Sequence, residues 1–196
     1  MSKTSEKILN MFEKWYNEAA ATEVIDEPSA MTLSTCGEDG IPSSRIVLFR
    51  NYDERGFVFF TNYNSRKSIE ITENPYASLV FHWQKLDKQI RIIGNVEKVS
   101  DAESDAYFAS RGREKQLSAI SSHQSQMMES PNAFQENIAK NEEAHPKGLI
   151  ERPEYWGGWR VIPHEMEFWQ QGDHRRHERL HYIKTDEGWV SNILYP

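Results

Sequence analysis

After residue 21 the apolar side chains of this 196-residue chain stop recurring every third or fourth position and begin to alternate. Before the switch, Ile8, Met11, Phe12, Trp15, Tyr16, Ala19 and Ala20 make one face of a helix, assigned to residues 1–21. After it, Ala30–Cys36, Ser43–Tyr52 and Phe57–Thr61 read as strands. The turns Gly37-Glu-Asp-Gly40 and Asp53-Glu-Arg-Gly56 join them into an antiparallel meander. A short helix over Ser65–Thr72 stops before Asn74-Pro75, and strands Ala77–Trp83 and Gln89–Val99 follow. Ser100-Asp-Ala-Glu103 is a capping box that opens a helix through Arg111. Residues 113–150 are polar, helical or irregular, and the 101–150 stretch reads as a mostly helical insertion. Strands return over Trp156–Ile162, Glu165–Gln170, Arg179–Thr185 and Trp189–Leu194, a C-terminal block of 155–196. Tight turns between strands exclude a doubly wound parallel sheet, whose strands need long crossovers. The pattern predicts a mainly β fold with peripheral helices, a small closed barrel in one domain over 1–196.

Charge and cysteine content narrow the function. Acidic residues outnumber basic ones 30 to 23, for a net charge of −7, which argues against a nucleic-acid-coating protein. Mean hydropathy is −0.75 and apolar runs such as Ile46–Phe49 are too short for a bilayer, so no membrane partner is expected. No apolar stretch follows MSKTSEK, so no signal peptide is expected. Cys36 is the single cysteine, which excludes an intrachain disulfide and points to the cytoplasm. Aromatic residues make up 12% of the chain, with 6 Trp, and that excess needs a reason.

Four clusters can carry chemistry. Arg45 and Arg50 lie five positions apart on one predicted strand, hence on opposite faces with different partners. Thr61-Asn-Tyr-Asn-Ser-Arg66-Lys67-Ser68 puts hydroxyls and adjacent cations at a helix start, where phosphate is readily cradled; a solvated helix start is the plainer account. Tyr107, Arg111 and Lys115, spaced by four, share a face if the helix continues past Gly112. Like charges at that spacing repel unless an anion sits between them. The fourth cluster is aromatic and basic: Tyr155-Trp-Gly-Gly-Trp159, Trp169, and His174-Arg-Arg-His177-Glu-Arg179, suited either to stacking on a flat charged ligand or to a barrel core. His174, His177 and His181 would share a face only on a helix, so no metal site is expected on this strand.

Together the segments SRIVLFR, FVFFTNYNSRKS, NPYASLVFHW, KQIRIIGNVE, SDAYFASR, SHQSQ, ERPEYWGGWRV, EFWQQG and RRHERLHY resemble the pyridoxamine 5′-phosphate oxidase family over almost the whole chain. The resemblance implies an FMN-binding split antiparallel β-barrel that forms a homodimer, with FMN at the interface. It implies FMN contacts from Arg45, Ile46, Val47, Leu48, Phe60, Thr61, Arg66, Lys67, Gln89, Gln124, Ser125, Trp169 and Arg179. Arg50, Tyr107, Arg111, Lys115, Arg175 and His177 would bind substrate, the last two as the catalytic pair over the flavin. The implied reaction takes pyridoxamine or pyridoxine 5′-phosphate to pyridoxal 5′-phosphate and reduces O2 to H2O2.

The chain departs from the family where Lys is usual at Arg50, Ser at Lys115 and Arg at Ile193, and Phe60 often stands as Tyr. The basic segment that often precedes the first helix has no match in MSKTSEK, so a lid there is not expected. These departures keep two alternatives in view: an FMN oxidase of the phenazine-pathway kind acting on another substrate, and a non-catalytic flavin or pyridoxal-phosphate carrier.

Overall fold

The computed structural model describes residues 3–196; Met1 and Ser2, counted above with the first helix and the single domain, lie outside the described residues. Helix α1 (Lys3–Ala21) buries Ile8, Phe12 and Ala19. Phe12 is the hub of an aromatic core. Its ring lies 4.8 Å from Phe57, 5.1 Å from Tyr52, 5.4 Å from Phe81 and 5.5 Å from Phe49, all edge-on. Edge-to-face packing suits ring quadrupoles, and here it seals α1 onto the sheet. Much of the aromatic excess is thus core.

Nine strands of the described residues form one antiparallel sheet: β1 (Ala30–Cys36), β2 (Pro42–Leu48), β3 (Asn51–Asp53), β4 (Gly56–Asn62), β5 (Tyr76–Trp83), β6 (Lys88–Lys98), β7 (Trp156–Gln170), β8 (Glu178–Thr185) and β9 (Gly188–Ile193). The meander expected for the first strands is replaced by the order β2-β1-β5-β6-β7-β4-β3. A tight turn fixes only the partner it joins. Strand β4 is buried along nearly its whole length, so it needs a covered place between two neighbours and takes β3 and β7. The strand expected over Ser43–Tyr52 breaks at Phe49 and Arg50. There Phe49 N–H donates to Ser29 O and Arg50 N–H to Val58 O, as the chain passes from one end of the sheet to the other. That passage curls the sheet into a half-barrel; no ladder among the described residues closes it, contrary to the closed barrel read from strand spacing.

Strand β7 is the spine. Its first half pairs with β4 and its second half with β8, while its other edge pairs with β6 from Trp159 to Gln170. The two strands expected here are one, because Pro163 sits at a bulge opposite Gly94, where a missing N–H breaks no regular ladder. Gly94 is required there, since a Cβ would run into the Ile162 carbonyl.

Helices α2 (Arg66–Glu73), α3 (Asp101–Ser110), α4 (Arg113–Ser121) and α5 (Ala133–Ala144) pack outside the sheet. The Ser100 capping box forms as expected, with Glu103 N–H donating to Ser100 Oγ and Ser100 N–H to Glu103. No helix among the described residues is long and apolar enough to cross a membrane.

Candidate functional site

A cavity of about 560 Å³ opens where the end of β2, strand β4, the α3–α4 junction and the start of β7 converge. Its lining includes Ile46, Val47, Leu48, Arg50, Phe60, Thr61, Lys67, Tyr107, Arg111, Lys115 and Gln124, so one space gathers eleven of the residues singled out in the sequence. The size falls within the range of small-molecule sites. Arg50 reaches it because β2 ends at Leu48, so strand alternation does not govern its direction. Helix α3 likewise stops at Ser110, with Arg111 as its C-cap and Gly112 capping α4. Tyr107, Arg111 and Lys115 therefore share no helical face; the bend between two helices turns all three into the cavity.

One wall is a stack of rings. Phe60 lies 3.9 Å from Tyr107 at 15° and 5.8 Å from Trp156 at 12°, and Tyr107 is within 3° of parallel to Trp156. Gly158, opposite Phe60 across the strands, makes room: a Cβ there would come within 2.8 Å of the Phe60 ring. The Arg111 guanidinium lies 4.7 Å over Trp156, and its Nη1 is buried without a hydrogen-bond partner. Burial lowers the Arg111 pKa, with Arg50 adding repulsion and Tyr107 opposing both. Among the described residues, Arg50 and Lys115 form no side-chain hydrogen bond or ion pair. Glu27 feels both cations, though its pKa is lowered chiefly by a hydrogen bond from Ser29. Three cations thus face a cavity with an orphaned guanidinium N–H, which is the chemistry of an anion site.

Lys67 forms the floor. Its Nζ donates to Thr61 Oγ1 at 3.1 Å, Ser65 Oγ at 2.9 Å and Gln124 Oε1 at 3.0 Å. Burial, with help from the Arg45 charge, brings its pKa down to about 8, against the pull of Glu70. Behind it, Arg45 and Arg66 converge on Glu70, at 3.2 Å and 2.7 Å. Burial resists ionisation of Glu70, but hydrogen bonds from Ser43, Thr35, Arg66 and Arg45 outweigh it and hold the pKa at about 2. Arg66 and Ser125 line a neighbouring hollow with Glu70, and Ser125 has a left-handed backbone, φ 71°. Arg45 meets Glu70 whereas Arg50 lines the cavity without a side-chain partner, and the strand break rather than alternation separates the two.

The remaining expected residues lie elsewhere. Gln89, Trp169 and Arg179 are side by side across β6, β7 and β8. Arg179 is held by both oxygens of Glu167, at 2.8 Å and 3.0 Å, and Arg91 reaches the same carboxylate. His177 packs against Trp169 with ring centres 4.7 Å apart, and the Gly172 N–H donates to its Nδ1. Arg175 is exposed, and both it and His174 have left-handed backbones, φ 64° and 53°, a conformation rare outside glycine. On β8, His181 lies 3.0 Å from Glu165 of β7, apart from the turn that carries His174 and His177. Trp156 and Trp169 stand near opposite ends of β7, on the order of 40 Å of strand contour apart.

Sequence reasoning did not name Glu70, and saw Glu167 and Trp156 only as parts of aromatic runs. The i,i+4 spacing of Arg66 and Glu70 was the one local signal for the first. Glu167 meets Arg179 through strand register, which leaves no local trace.

Residues 18–143 match the family described as pyridoxamine 5′-phosphate oxidase, and residues 156–196 match a pyridoxine 5′-phosphate oxidase C-terminal dimerisation region. A curated pyridoxine/pyridoxamine 5′-phosphate oxidase of Colwellia psychrerythraea is 47% identical, over 95% of this chain and 85% of its own. A protein of the same name from Psychromonas ingrahamii is 44% identical over 100% of this chain and 89% of its own. The crystal structure of PhzG from Burkholderia lata 383, in complex with tetrahydrophenazine-1-carboxylic acid, superposes with a TM-score of 0.91 at 30% identity, covering 100% of this chain and 98% of that one.

Proposed function

The chain belongs to the pyridoxamine 5′-phosphate oxidase family, and from that premise we propose that it oxidises pyridoxamine and pyridoxine 5′-phosphates to pyridoxal 5′-phosphate with FMN and O2. The observation that carries this reading is the cavity in which Arg50, Arg111 and Lys115, free of ion pairs among the described residues, face an open space beside a stack of aromatic rings. A phosphorylated, flat heterocycle needs those two features together.

Bound there, FMN would supply the redox chemistry, hydride acceptance from the substrate C4′ carbon and return of the electrons to O2 as H2O2. The chain's own residues hold and orient. Arg50, Arg111 and Lys115 grip the substrate phosphate, with the Tyr107 hydroxyl beside them. Lys67, Gln124 and Ser125 donate to the cofactor phosphate and ribityl chain. Arg45 and Arg66 support them at reduced net charge, because Glu70 already answers both. Phe60, Thr61 and the backbone of Ile46–Leu48 would line the flavin; with the amine substrate, water hydrolyses the resulting imine, giving the aldehyde and releasing the amino nitrogen as ammonia.

Gln89, Trp169, Arg175, His177 and Arg179 reach this site from a second copy of the chain. The length of β7 supports that arrangement, as do the exposed Ile183, Val190, Ile193 and Tyr195 within the stretch that matches a dimerisation region. Arg175, permanently cationic, orients the substrate ring electrostatically. With Nδ1 accepting from Gly172, a neutral His177 carries its proton on Nε2 and presents a donor.

The likeness to PhzG with its bound tetrahydrophenazine-1-carboxylic acid favours a second reading, oxidation of a reduced phenazine carboxylate. Anaerobic mixing of FMN-loaded protein with pyridoxamine 5′-phosphate separates them. Bleaching of the flavin band, reversed by air, is the expected result. A band bleached by a tetrahydrophenazine carboxylate alone would replace the first reading with the second, and one bleached by neither would favour a carrier.

A further inference from the structure

An arginine held by a carboxylate offers a ligand less of its charge, because the carboxylate competes for it. Arg45, Arg66 and Arg179 are held that way. Arg111 is not. Its guanidinium lies 4.7 Å over the Trp156 indole and 5.8 Å from the Phe108 ring, with Nη1 buried and unpartnered. The indole is itself fixed: Phe60 and Tyr107 stack parallel to it, and Arg152 Nη1 donates to the Trp156 carbonyl at 2.7 Å while its other nitrogens reach Asp101 and Asp105 on α3. The same arginine therefore ties the start of β7 to the helix whose end carries Arg111.

We propose that Trp156 is a positioning residue for phosphate recognition: its face holds the Arg111 guanidinium in place by cation–π attraction and leaves the charge uncompensated for the substrate's phosphate. This rests on the reading that the cavity binds a phosphorylated substrate. A desolvated cation–π contact is strongest for Trp and weaker for Phe, whereas an aliphatic side chain has no such attraction. The series Trp156→Phe and Trp156→Leu therefore grades the interaction while keeping an apolar side chain at a site that is 6% exposed.

The test is calorimetric titration of FMN-loaded wild-type and variant proteins with pyridoxal 5′-phosphate and, separately, with pyridoxal. The expected Kd for the phosphorylated ligand rises about threefold in Trp156→Phe and about tenfold in Trp156→Leu, with pyridoxal affinity within twofold of wild type. Steady-state assays are expected to show the same rise in KM, with kcat changed less. Equal losses for both ligands would make Trp156 a packing residue only and overturn the proposal. So would unchanged preference for the phosphate in Trp156→Phe, which decides the matter alone if Trp156→Leu does not fold. A wild-type protein that binds pyridoxal 5′-phosphate no better than pyridoxal overturns the phosphate reading and this inference with it. Wild-type discrimination that survives in the variants overturns the inference alone.

Discussion

The cavity and the far end of the sheet both gather arginines, yet they treat the charge in opposite ways. At the cavity, Arg50, Arg111 and Lys115 stand without ion pairs among the described residues, and Arg111 rests on an aromatic face. At the far end, Arg179 and Arg91 converge on the buried Glu167, just as Arg45 and Arg66 converge on Glu70 behind the cavity floor. An uncompensated cation costs stability in the empty protein and is repaired by an anion. A compensated one contributes shape whether or not a ligand is present. Removing a cation of the first kind should therefore weaken binding, and disturbing one of the second kind should weaken the fold.

The largest effect is expected from Arg111→Met, which should raise KM for phosphorylated substrate about a hundredfold, as for the loss of a strong charged hydrogen bond, with little change in melting temperature. A comparable loss of thermal stability would erase the distinction between the two groups. Glu70→Gln should do the reverse. It is expected to cost about 2 kcal/mol in denaturant unfolding of the apoprotein, less when FMN is present, because the cofactor phosphate then answers Arg45 and Arg66.

The same carboxylate sets an acid limit. Glu70 has its pKa depressed from 4.5 to about 2, so its stabilising share is complete above pH 4.5 and is lost as pH falls toward 2. Its size is roughly 3 kcal/mol at most, and Glu70→Gln should flatten that limb of the stability profile. Lys67 titrates at the other side. With its pKa at about 8 when no phosphate is bound, it is largely neutral above that pH and must take up a proton to meet a phosphate. FMN affinity should therefore fall by up to about tenfold per pH unit above pH 8, and Lys67→Arg should remove most of that slope. The smallest change is expected from Phe60→Tyr, which keeps the stacked ring and should move the substrate Kd by less than about threefold. A larger shift would show that a hydroxyl at this position takes part in binding.

The strands, the capping box at Ser100 and the α1 face were legible because each rests on residues close together in the chain. Three readings failed where a partner had to be chosen. The meander rested on one continuous strand over Ser43–Tyr52, but that strand breaks at Phe49 and Arg50, so the β1–β2 and β3–β4 hairpins part and β4 lies beside β7. The strand break expected between Ile162 and Glu165 is instead a bulge at Pro163, tolerated because Gly94 lies opposite. The helical face shared by Tyr107, Arg111 and Lys115 does not exist, although all three meet in one cavity.

For the site, the sequence by itself determined which residue types are present and in what order, since motif spacing and turn chemistry are local. It supplied the cations, the rings and the family. Only the tertiary structure decided which cations are already answered: Glu70 sits beside Arg45 and Glu167 beside Arg179, whereas Arg111 meets an indole. That choice depends on strand register and on contacts between distant segments, and electrostatic compensation acts through space rather than along the chain.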